Sequence, residues 1–335
     1  VKLSGLNILV TGGAGFIGSH IVESLVQQDA KVIVYDNFSF GNRENLKAVE
    51  KDIEIIKADI LDFDTLLKAM KGIDLVSHQA AQLEIFKSKQ SPFEDLETNT
   101  IGTLNVLRAA QKNGVQKLIN ASSACIYGQV DGLTSESVYP RPNWEYGVSK
   151  LAAEKYCDIF NDYYGLPIVS LRYGIVYGER EWLRRVLSIF VKRTLQSQPL
   201  IVFGDGSQIR DFIYVGDLVE FHNQCLIQDV ANGQSYNVGT GIGTTVKELA
   251  KIVVTASGKG LDIIYENTQE GEFSKLVPDK KRNSAELQVM LLDVEKAKAD
   301  LQWTPKISLS EGLKREIQWA SSNPHRWEKM VYTII

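Results

Sequence analysis

Residues 11–18 read TGGAGFIG, and this stretch decides the fold of the chain. Four of the eight residues are glycine, and they follow directly on the apolar run Asn7–Val10, although each glycine costs conformational entropy on folding. Counted from Gly13 the glycines fit G-x-G-x-x-G, and counted from Gly12 they fit G-x-x-G-x-x-G, both ending at Gly18. A bare backbone after a strand is typical of a tight strand-to-helix turn, or of a loop whose N–H groups bind a pyrophosphate.

The residues after the loop favour the pyrophosphate. Apolar side chains recur at helical spacing, which predicts a helix from Phe16 to Gln28. A second strand, Lys31–Tyr35, then ends in Asp36, 18 residues past Gly18, close to the roughly 20 residues expected for a carboxylate that binds the ribose hydroxyls. We therefore predict a dinucleotide site. Because a carboxylate would repel a 2′-phosphate, Asp36 favours NAD over NADP.

Composition excludes several classes of function. The chain has 335 residues, which is enough for a sizeable core and for two domains. Its formal net charge of −4 gives no basic field for nucleic acid. No apolar run approaches the roughly 18 residues of a membrane span, and no signal-peptide pattern is present, so we expect a cytoplasmic protein with no membrane partner. The three cysteines and four histidines have no metal-ligand spacing, and no metal is expected.

Strand-like runs alternate with helical patterns along the first half of the chain. This alternation predicts an α/β fold, a doubly wound parallel sheet with helices on both faces. The two long helices are expected at Phe93–Asn113 and Tyr146–Tyr164. The polar segment Glu266–Ser284 reads as a long loop in a smaller C-terminal portion, and its basic run Lys280–Arg282 as a solvated face. The strands are expected at Asn7–Val10, Lys31–Tyr35, Ile53–Lys57, Leu75–His78, Lys117–Ala121 and Ile168–Arg172.

Tyr146 and Lys150 open the second long helix at i, i+4 spacing, which places a phenol and an ammonium on one helix face. A purely structural pair, a core tyrosine beside a lysine whose ammonium reaches the solvent, would have the same sequence pattern. A tyrosine is a poor base at neutral pH, and lowering its pKa from 10 to about 7 requires roughly 4 kcal/mol of differential stabilisation. A neighbouring ammonium and a cationic nicotinamide ring could supply it. Ser123, at the carboxyl end of a strand, could hydrogen-bond the reacting oxygen.

An ordered set of motifs resembles the extended short-chain dehydrogenase/reductase family, in its nucleotide-sugar epimerase/dehydratase branch. The resemblance runs from residue 7 to about residue 245 and resumes in a C-terminal signature at Leu301–Pro305. It implies a modified Rossmann domain, residues 1–178 and 211–245, that holds NAD, and a smaller α/β domain, residues 179–210 and 246–335, that binds a nucleoside-diphosphate sugar. The motifs are TGGAGFIGSH, Asp36-Asn37, Ala58-Asp59-Ile60, HQAA, Asn99 with Gly102-Thr103, SSACIYG, YGVSK, LRYGIVYG, GDGSQIRDFIYVGDL and NVGTG.

The same resemblance assigns roles to individual residues. Ser123, Tyr146 and Lys150 would be the catalytic residues. Arg210 would hold the sugar-nucleotide diphosphate, unless it is a surface ion pair with Asp211, and Phe203 would pack on the nucleobase. The substrate-binding set is Ser123, Cys125, Tyr146, Phe203 and Arg210. The cofactor-binding set is Gly12, Gly15, Phe16, Ile17, Gly18, Asp36, Asn37, Asp59, Ile60, Ala80, Ala81, Asn99, Tyr146, Lys150 and Tyr173.

The long helices also match the pair that forms the dimer interface in this family, which implies a homodimer. An apolar stripe on the second of them would supply the contact; the alternative is that this stripe only faces the sheet. Its members are Tyr156, Ile159, Phe160 and Tyr163.

Departures from the family pattern narrow the expected reaction. The family's dehydratases carry an Asp-Glu pair where this chain has Ala124-Cys125, and its decarboxylases carry a glutamate at the Cys125 position. We therefore expect epimerisation at C4 of a nucleoside-diphosphate sugar, a UDP-hexose or UDP-uronic acid, through a transient 4-keto sugar. The alternatives are a 3,5-epimerase, with Cys125 as an acid/base group, a 4,6-dehydratase, and a non-catalytic dinucleotide-binding regulator. Ile175 stands where relatives have an asparagine that contacts the diphosphate.

Overall fold

The structure is a computed structural model that describes residues 2–83, 85–181, 185–277, 280–282 and 287–327, the side chains of residues 85–87 excepted. In these ranges the strands are β1 (Asn7–Thr11), β2 (Lys31–Asp36), β3 (Ile53–Lys57), β4 (Leu75–His78), β5 (Lys117–Ser123), β6 (Leu133–Thr134), β7 (Ile168–Tyr173), β8 (Ile175–Tyr177), β9 (Leu200–Phe203), β10 (Ile209–Tyr214), β11 (Ser235–Val238), β12 (Gly243–Thr245), β13 (Ile263–Glu266) and β14 (Val289–Leu292).

The helices lie between these strands and after the last of them. They are α1 (Phe16–Val26), α2 (Phe63–Ala69), α3 (Ile85–Gln90), α4 (Pro92–Leu96), α5 (Gly102–Asn113), α6 (Glu145–Tyr164), α7 (Val186–Leu195), α8 (Val215–Ile227), α9 (Val246–Ser257), α10 (Glu295–Leu301), α11 (Leu309–Ser322) and α12 (Pro324–Trp327). No helix among the described residues is long and apolar enough to cross a membrane.

Seven parallel strands form the central sheet in the order β11-β7-β5-β4-β1-β2-β3. Successive side chains of a strand point to opposite faces, and both faces of β1 are buried: Ile8 and Val10 pack into one hydrophobic cluster and Leu9 into the other. A strand covered on both sides needs a continuous apolar run, which is why Asn7–Val10 carries no polar alternation. The predicted doubly wound α/β fold is confirmed.

The order of the strands fixes where a ligand can bind. The chain runs outward from β1 through β2 to β3, then crosses back to place β4 on the other side of β1. A crevice opens at such a switch point, beyond the carboxyl ends of the two strands. The glycine-rich stretch, residues 11–18, begins at the carboxyl end of β1 and therefore lies in this crevice.

Smaller sheets stand beside the central one. One has the order β12-β10-β14-β6, with β8 also paired to β10, and β9 pairs with β13 in a two-stranded parallel ribbon. These strands carry Arg210 and Phe203. The division into residues 1–178 with 211–245 and 179–210 with 246–335 remains a prediction.

Several local expectations differ from the structure; β5, for example, runs to Ser123, two residues beyond its predicted end at Ala121. The first helix ends at Val26, two residues earlier than predicted. The expected single helix Phe93–Asn113 contains a wider π-helical turn, Glu97–Ile101, between α4 and α5. Within the polar segment, Lys280–Arg282 is half-buried because Phe273 and Lys281 form a β-bridge that folds the segment back on itself; residues 278, 279, 283 and 284 of that segment lie outside the described residues.

Candidate active site

The glycine-rich loop brings the chain close to the end of β4. Gly12 has φ +66°, and a Cβ atom there would lie 2.6 Å from the backbone nitrogen of Ala80. Gly18 packs directly on the carbonyl oxygen of Gly12, where a side chain would collide. Gly15 is the N-cap of α1 and makes no side-chain cap, and the first turn, which includes Phe16 and Ile17, carries no acidic residue. Backbone N–H groups at such a helix start attract a pyrophosphate.

Asp36 lies at the end of β2, beside this loop. Its carboxylate accepts hydrogen bonds from the backbone N–H of Ala14 at 2.9 Å and of Phe38 at 2.7 Å. Burial raises the pKa of Asp36, and these two bonds act against that rise. The next carboxylate along the sheet edge, Asp59, accepts a hydrogen bond from Asn37 Nδ2 at 2.7 Å. The residues predicted to bind the adenosine half are therefore adjacent, with Ile60 buried behind them.

A buried histidine holds the ends of β1 and β4 together. His78 Nδ1 lies 2.7 Å from Thr11 Oγ1, and its Nε2 lies 2.9 Å from Thr103 Oγ1. Since Thr103 donates its own proton to the Asn99 carbonyl, Nε2 must be the protonated nitrogen. Burial, followed by the charge of Lys150, lowers the pKa of His78 to about 3, so the ring is neutral. It fixes the position of Ala80 and Ala81, the predicted cofactor path.

Ser123, Tyr146 and Lys150 meet at the carboxyl end of β5. Each side chain is at least nine-tenths buried. Ser123 Oγ accepts a hydrogen bond from the Cys125 N–H at 3.1 Å and also hydrogen-bonds with Tyr146. Tyr146 and Lys150 lie one turn apart on α6, so the hydroxyl, the phenol and the ammonium face one pocket.

Burial dominates the electrostatics of this pocket. It raises the pKa of Tyr146 above its ordinary value of 10, an effect that Cys125 increases and that Arg185 and the Ser123 hydroxyl oppose. Burial also lowers the pKa of Lys150 to about 8. In the protein alone, Tyr146 is therefore a neutral phenol at pH 7, and it becomes a base only when further positive charge enters the pocket.

Two more predicted cofactor residues border the pocket. Asn99 sits in the π-helical turn, a form that is frequent at functional sites; its Oδ1 accepts from the Gln82 N–H at 2.8 Å, and its Nδ2 donates to the Gln82 carbonyl. The Tyr173 hydroxyl donates to Gln79 Oε1 at 3.1 Å. Both side chains are thus oriented by residues just after β4, on the crevice side of the sheet.

The remaining predicted substrate residues are divided between the turn after β5, which carries Cys125, and the smaller sheets, which carry Phe203 and Arg210. Cys125 is buried in a short 3-10 turn, Ala124–Ile126, and burial raises the pKa of its thiol, whereas the charges of Arg185 and Arg210 lower it. The carboxylate of Asp211 accepts from Thr240 and from the Gly241 N–H, and Arg210 Nη1 donates to the Ile209 carbonyl at 2.8 Å. Phe203 and Ile175 are both half-buried.

Two residues near the pocket were missed in the sequence. Arg185 is the exposed N-cap of α7, and its charge reaches both Tyr146 and Cys125. Arg185 directly follows residues 182–184, which lie outside the described residues, and it belongs to none of the sequence motifs. Asp95 is buried and hydrogen-bonded to Asn99. The contact between Asp95 and Asn99 could have been predicted from the sequence, because the two residues are four positions apart in a predicted helix.

Comparison with known proteins shows which family the chain resembles. Residues 8–239 match the NAD dependent epimerase/dehydratase family. The UDP-glucose 4-epimerase of Thermus thermophilus, solved in complex with NAD, is 36% identical, with a TM-score of 0.83 over 94% of this chain and 98% of that one. The UDP-glucose 4-epimerase of Thermotoga maritima, solved with UDP-glucose, is 35% identical, with a TM-score of 0.85 over 95% of this chain and 100% of that one. A mouse dTDP-D-glucose 4,6-dehydratase is 32% identical over 332 residues, 96% of this chain and 90% of that protein.

Proposed function

Since the chain belongs to the NAD dependent epimerase/dehydratase family, we propose that it inverts C4 of a UDP-hexose or UDP-uronic acid, using NAD. The observation that carries the proposal is the buried group Ser123, Tyr146 and Lys150 at the switch-point crevice, with the small residues Ala124 and Cys125 beside it. The related Thermus and Thermotoga enzymes are named for the same reaction.

The glycine-rich loop fits the cofactor. Its close approach to Ala80 leaves no room for a side chain at Gly12, and the uncapped start of α1 offers N–H groups to a pyrophosphate. Asp36 and Asn37 would hold the adenosine ribose, Asp59 and Ile60 the adenine, and Asn99 and Tyr173 the nicotinamide half. Bound oxidised NAD supplies a hydride acceptor, which later returns the hydride, and a positive charge next to the phenol.

The chain's own residues perform the proton transfer. Tyr146 removes the proton of the C4 hydroxyl as hydride leaves C4, and it returns the proton when the 4-keto sugar is reduced from its other face. Ser123 hydrogen-bonds the reacting oxygen. Lys150, protonated at pH 7 with a pKa of about 8, stabilises the phenolate. A positioned acid/base group of this kind contributes about a hundredfold to ten-thousandfold.

Epimerisation fits better than elimination because no carboxylate follows Ser123. A dehydratase must protonate and deprotonate carbon atoms next to the ketone. In this chain the two residues after Ser123 are Ala124 and Cys125. Burial raises the pKa of the Cys125 thiol, so this side chain stays neutral at pH 7 and serves only to fill space beside Ser123. Arg210 and Phe203 would grip the diphosphate and the nucleobase, with Arg185 as a further cation near the sugar.

Following the hydrogen on C4 tests the reaction. In the proposed mechanism this hydrogen travels as hydride and never becomes an exchangeable proton. Product made in D2O from UDP-glucose or UDP-glucuronate should therefore contain no carbon-bound deuterium by NMR. The activity of Cys125→Ser should stay within roughly tenfold of the wild type; a loss of this size is allowed because the new hydroxyl is buried and can lack a hydrogen-bond partner.

Three results would overturn the proposed C4 epimerisation. Deuterium at C3 or C5, with activity abolished in Cys125→Ser, assigns a 3,5-epimerase. Loss of water with solvent deuterium at C5, and with the C4 hydrogen transferred to C6 as hydride, assigns a dehydratase, the activity named for the mouse relative. If no sugar in a panel of UDP-, GDP-, dTDP- and CDP-sugars is converted, the chain is a non-catalytic dinucleotide-binding protein.

The chain is also proposed to form a homodimer through α6 and the helical stretch 92–113. Thr100 Oγ1 donates to the Ser149 carbonyl at 3.1 Å, which holds these helices side by side. Their outer faces are apolar and exposed; the members are Phe93, Leu96, Ile101, Val148, Tyr156, Ile159 and Tyr163. Phe160, expected in this set, instead is 6% exposed and packs in the core.

The cytoplasmic location remains a prediction. Cys125, Cys157 and Cys225 are free and buried, which suits a reducing compartment.

A further inference from the structure

Asp95 is a buried carboxyl group beside the catalytic helix, and the mechanism above does not use it. It lies in α4 and is 1% exposed. Its Oδ1 accepts a hydrogen bond from Asn99 Nδ2 at 3.0 Å. A carboxyl group placed so deeply is costly unless a charged or hydrogen-bonding partner compensates it, so its surroundings indicate what it does.

Asn99 and Ser149 connect this carboxyl to α6. Asn99 Nδ2 lies 3.2 Å from Ser149 Oγ, and the Ser149 hydroxyl also hydrogen-bonds with Asp95. The single Ser149 hydroxyl proton is shared between Asp95 and the Tyr146 carbonyl, which lies 3.1 Å from Ser149 Oγ. Because Ser149 immediately precedes Lys150, these bonds hold Asp95 against the turn that joins the phenol to the ammonium.

The titratable groups that act on Asp95 or are affected by it are Lys150, Glu145 and Tyr146. Burial is the largest influence and raises the pKa of Asp95; Lys150 lowers it and Glu145 raises it. Asp95 in turn raises the pKa of both Lys150 and Tyr146. The carboxylate thus favours a protonated Lys150, against the burial that favours loss of its proton.

Two other groups act on Lys150 in the same direction, but neither replaces Asp95. Burial raises the pKa of the Cys157 thiol well above neutrality, so Cys157 carries no charge at pH 7. Glu154 is already paired with the buried Arg172, whose Nε lies 3.2 Å from both carboxylate oxygens. In the part of the chain that the structure describes, Asp95 is the carboxyl group left to balance the Lys150 ammonium.

We infer that Asp95 is a positioning residue of the C4 reaction, which keeps Lys150 protonated and fixes the Tyr146–Lys150 turn through Asn99 and Ser149. The effect of Asp95 on enzyme activity can be measured only if the proposed C4 epimerisation is correct. Asp95 does not touch the substrate, so its removal changes the proton balance of the pocket and leaves the substrate contacts intact.

The test compares Asp95→Asn with Glu97→Gln in the NAD-loaded protein. The asparagine keeps an oxygen that can accept from Asn99 and removes the charge, while Glu97 is an exposed carboxylate on the same helical stretch. For Asp95→Asn we expect the pH at which kcat falls on the alkaline side to move down by about one unit, with kcat reduced about twofold at pH 7 and about tenfold at pH 9, and with KM unchanged. Glu97→Gln should behave as the wild type. An activity loss with an unshifted pH profile, or no loss, overturns the inference.

A second measurement needs no substrate. In protein labelled with 13C-lysine, the Lys150 resonance is identified by its absence in Lys150→Arg, and its titration midpoint is compared between wild type and Asp95→Asn. A lower midpoint in the variant supports the role of Asp95 even if no sugar is converted, and an equal midpoint overturns it. Failure of the proposed function is therefore distinguishable from failure of this inference. Thermal unfolding checks that each variant folds.

Discussion

Tyr146 is the single residue on which the proposed chemistry depends most. Removing its hydroxyl in Tyr146→Phe takes away the only group assigned to move the C4 hydroxyl proton, while the ring still fills the buried site. We expect kcat for the UDP-sugar to fall by at least about a hundredfold, with NAD still bound. Steady-state kinetics and the NAD content of the purified variant measure both.

The matched control is Tyr139→Phe, because Tyr139 is 77% exposed and lies in the loop before α6. That variant should turn over like the wild type. Near-normal turnover in Tyr146→Phe would mean that another group moves the proton and that the assigned mechanism is wrong.

Residues whose partners lie within one element could be predicted from the sequence, and those whose partners lie across elements could not. The Tyr146–Lys150 pair follows from helical spacing alone. Arg185 reaches Tyr146 from a separate helix, and no local pattern encodes that approach. Phe160 was misplaced for the same reason: it packs in the core with Leu118 and Ile168 of the central sheet, although its neighbours Ile159 and Tyr163 are exposed.

Among the elements, α11 and the segment that joins β8 to α7 meet around two buried glutamates. Glu181 and Glu316 line a cavity of about 20 Å³ together with Trp319. Both oxygens of Glu181 and one of Glu316 are buried without a hydrogen-bond partner. The charged groups near them are Glu179, which raises the pKa of Glu316, and Arg185, which lowers that of Glu181; Lys192 also lines the cavity, and Arg326 lies over the Trp319 ring.

This pair makes the stability of the protein depend on pH. Burial raises the pKa of Glu181 from 4.5 to about 8, and burial and the neighbouring Glu181 raise that of Glu316 well above 4.5. The folded state keeps protons that the unfolded chain releases, so the pair's contribution is fully present below pH 4.5 and is lost as pH rises to about 8. We expect the free energy of unfolding to fall by on the order of a few kcal/mol over this window.

Denaturant unfolding at several pH values measures the effect. The double variant Glu181→Gln/Glu316→Gln has no proton to lose there, so its stability should be flatter with pH than that of the wild type. Glu311→Gln is the control, since Glu311 lies on the same helix in an exposed pair with Arg315. Parallel pH curves for wild type and double variant would contradict a protonated pair.

The wider turn at Glu97–Ile101 is an element that the sequence did not reveal. Apolar spacing predicted one continuous helix over 93–113, and the chain is helical there, but the π-helical turn shifts the register of Asn99 toward Gln82 and Ser149. Tertiary hydrogen bonds, not local propensity, stabilise such a turn. The glycine-rich loop was predictable in contrast, because steric contact at Gly12 and Gly18 permits no other residue.

For the whole molecule, the doubly wound parallel sheet could be predicted from the alternation of strands and helices, whereas the order of its strands was not predicted and comes from the structure. The smaller sheets were less predictable. Their strands β6, β8 and β12 have only two or three residues, too few for a periodic pattern, and they are held by pairing with β10 and β14.

The assembly is the last property that the structure makes testable. An exposed apolar surface on two adjacent helices is costly for a monomer and typical of an interface. Tyr163 is 83% exposed on α6, so Tyr163→Glu would place a charge in the proposed dimer contact without disturbing the core. We expect light scattering at micromolar concentration to give a dimer mass for the wild type and a smaller mass for Tyr163→Glu. Tyr139→Glu, which changes a tyrosine 77% exposed outside these helices, should remain dimeric. A monomer mass for the wild type would refute the homodimer, and a dimer mass for Tyr163→Glu would move the interface to another face.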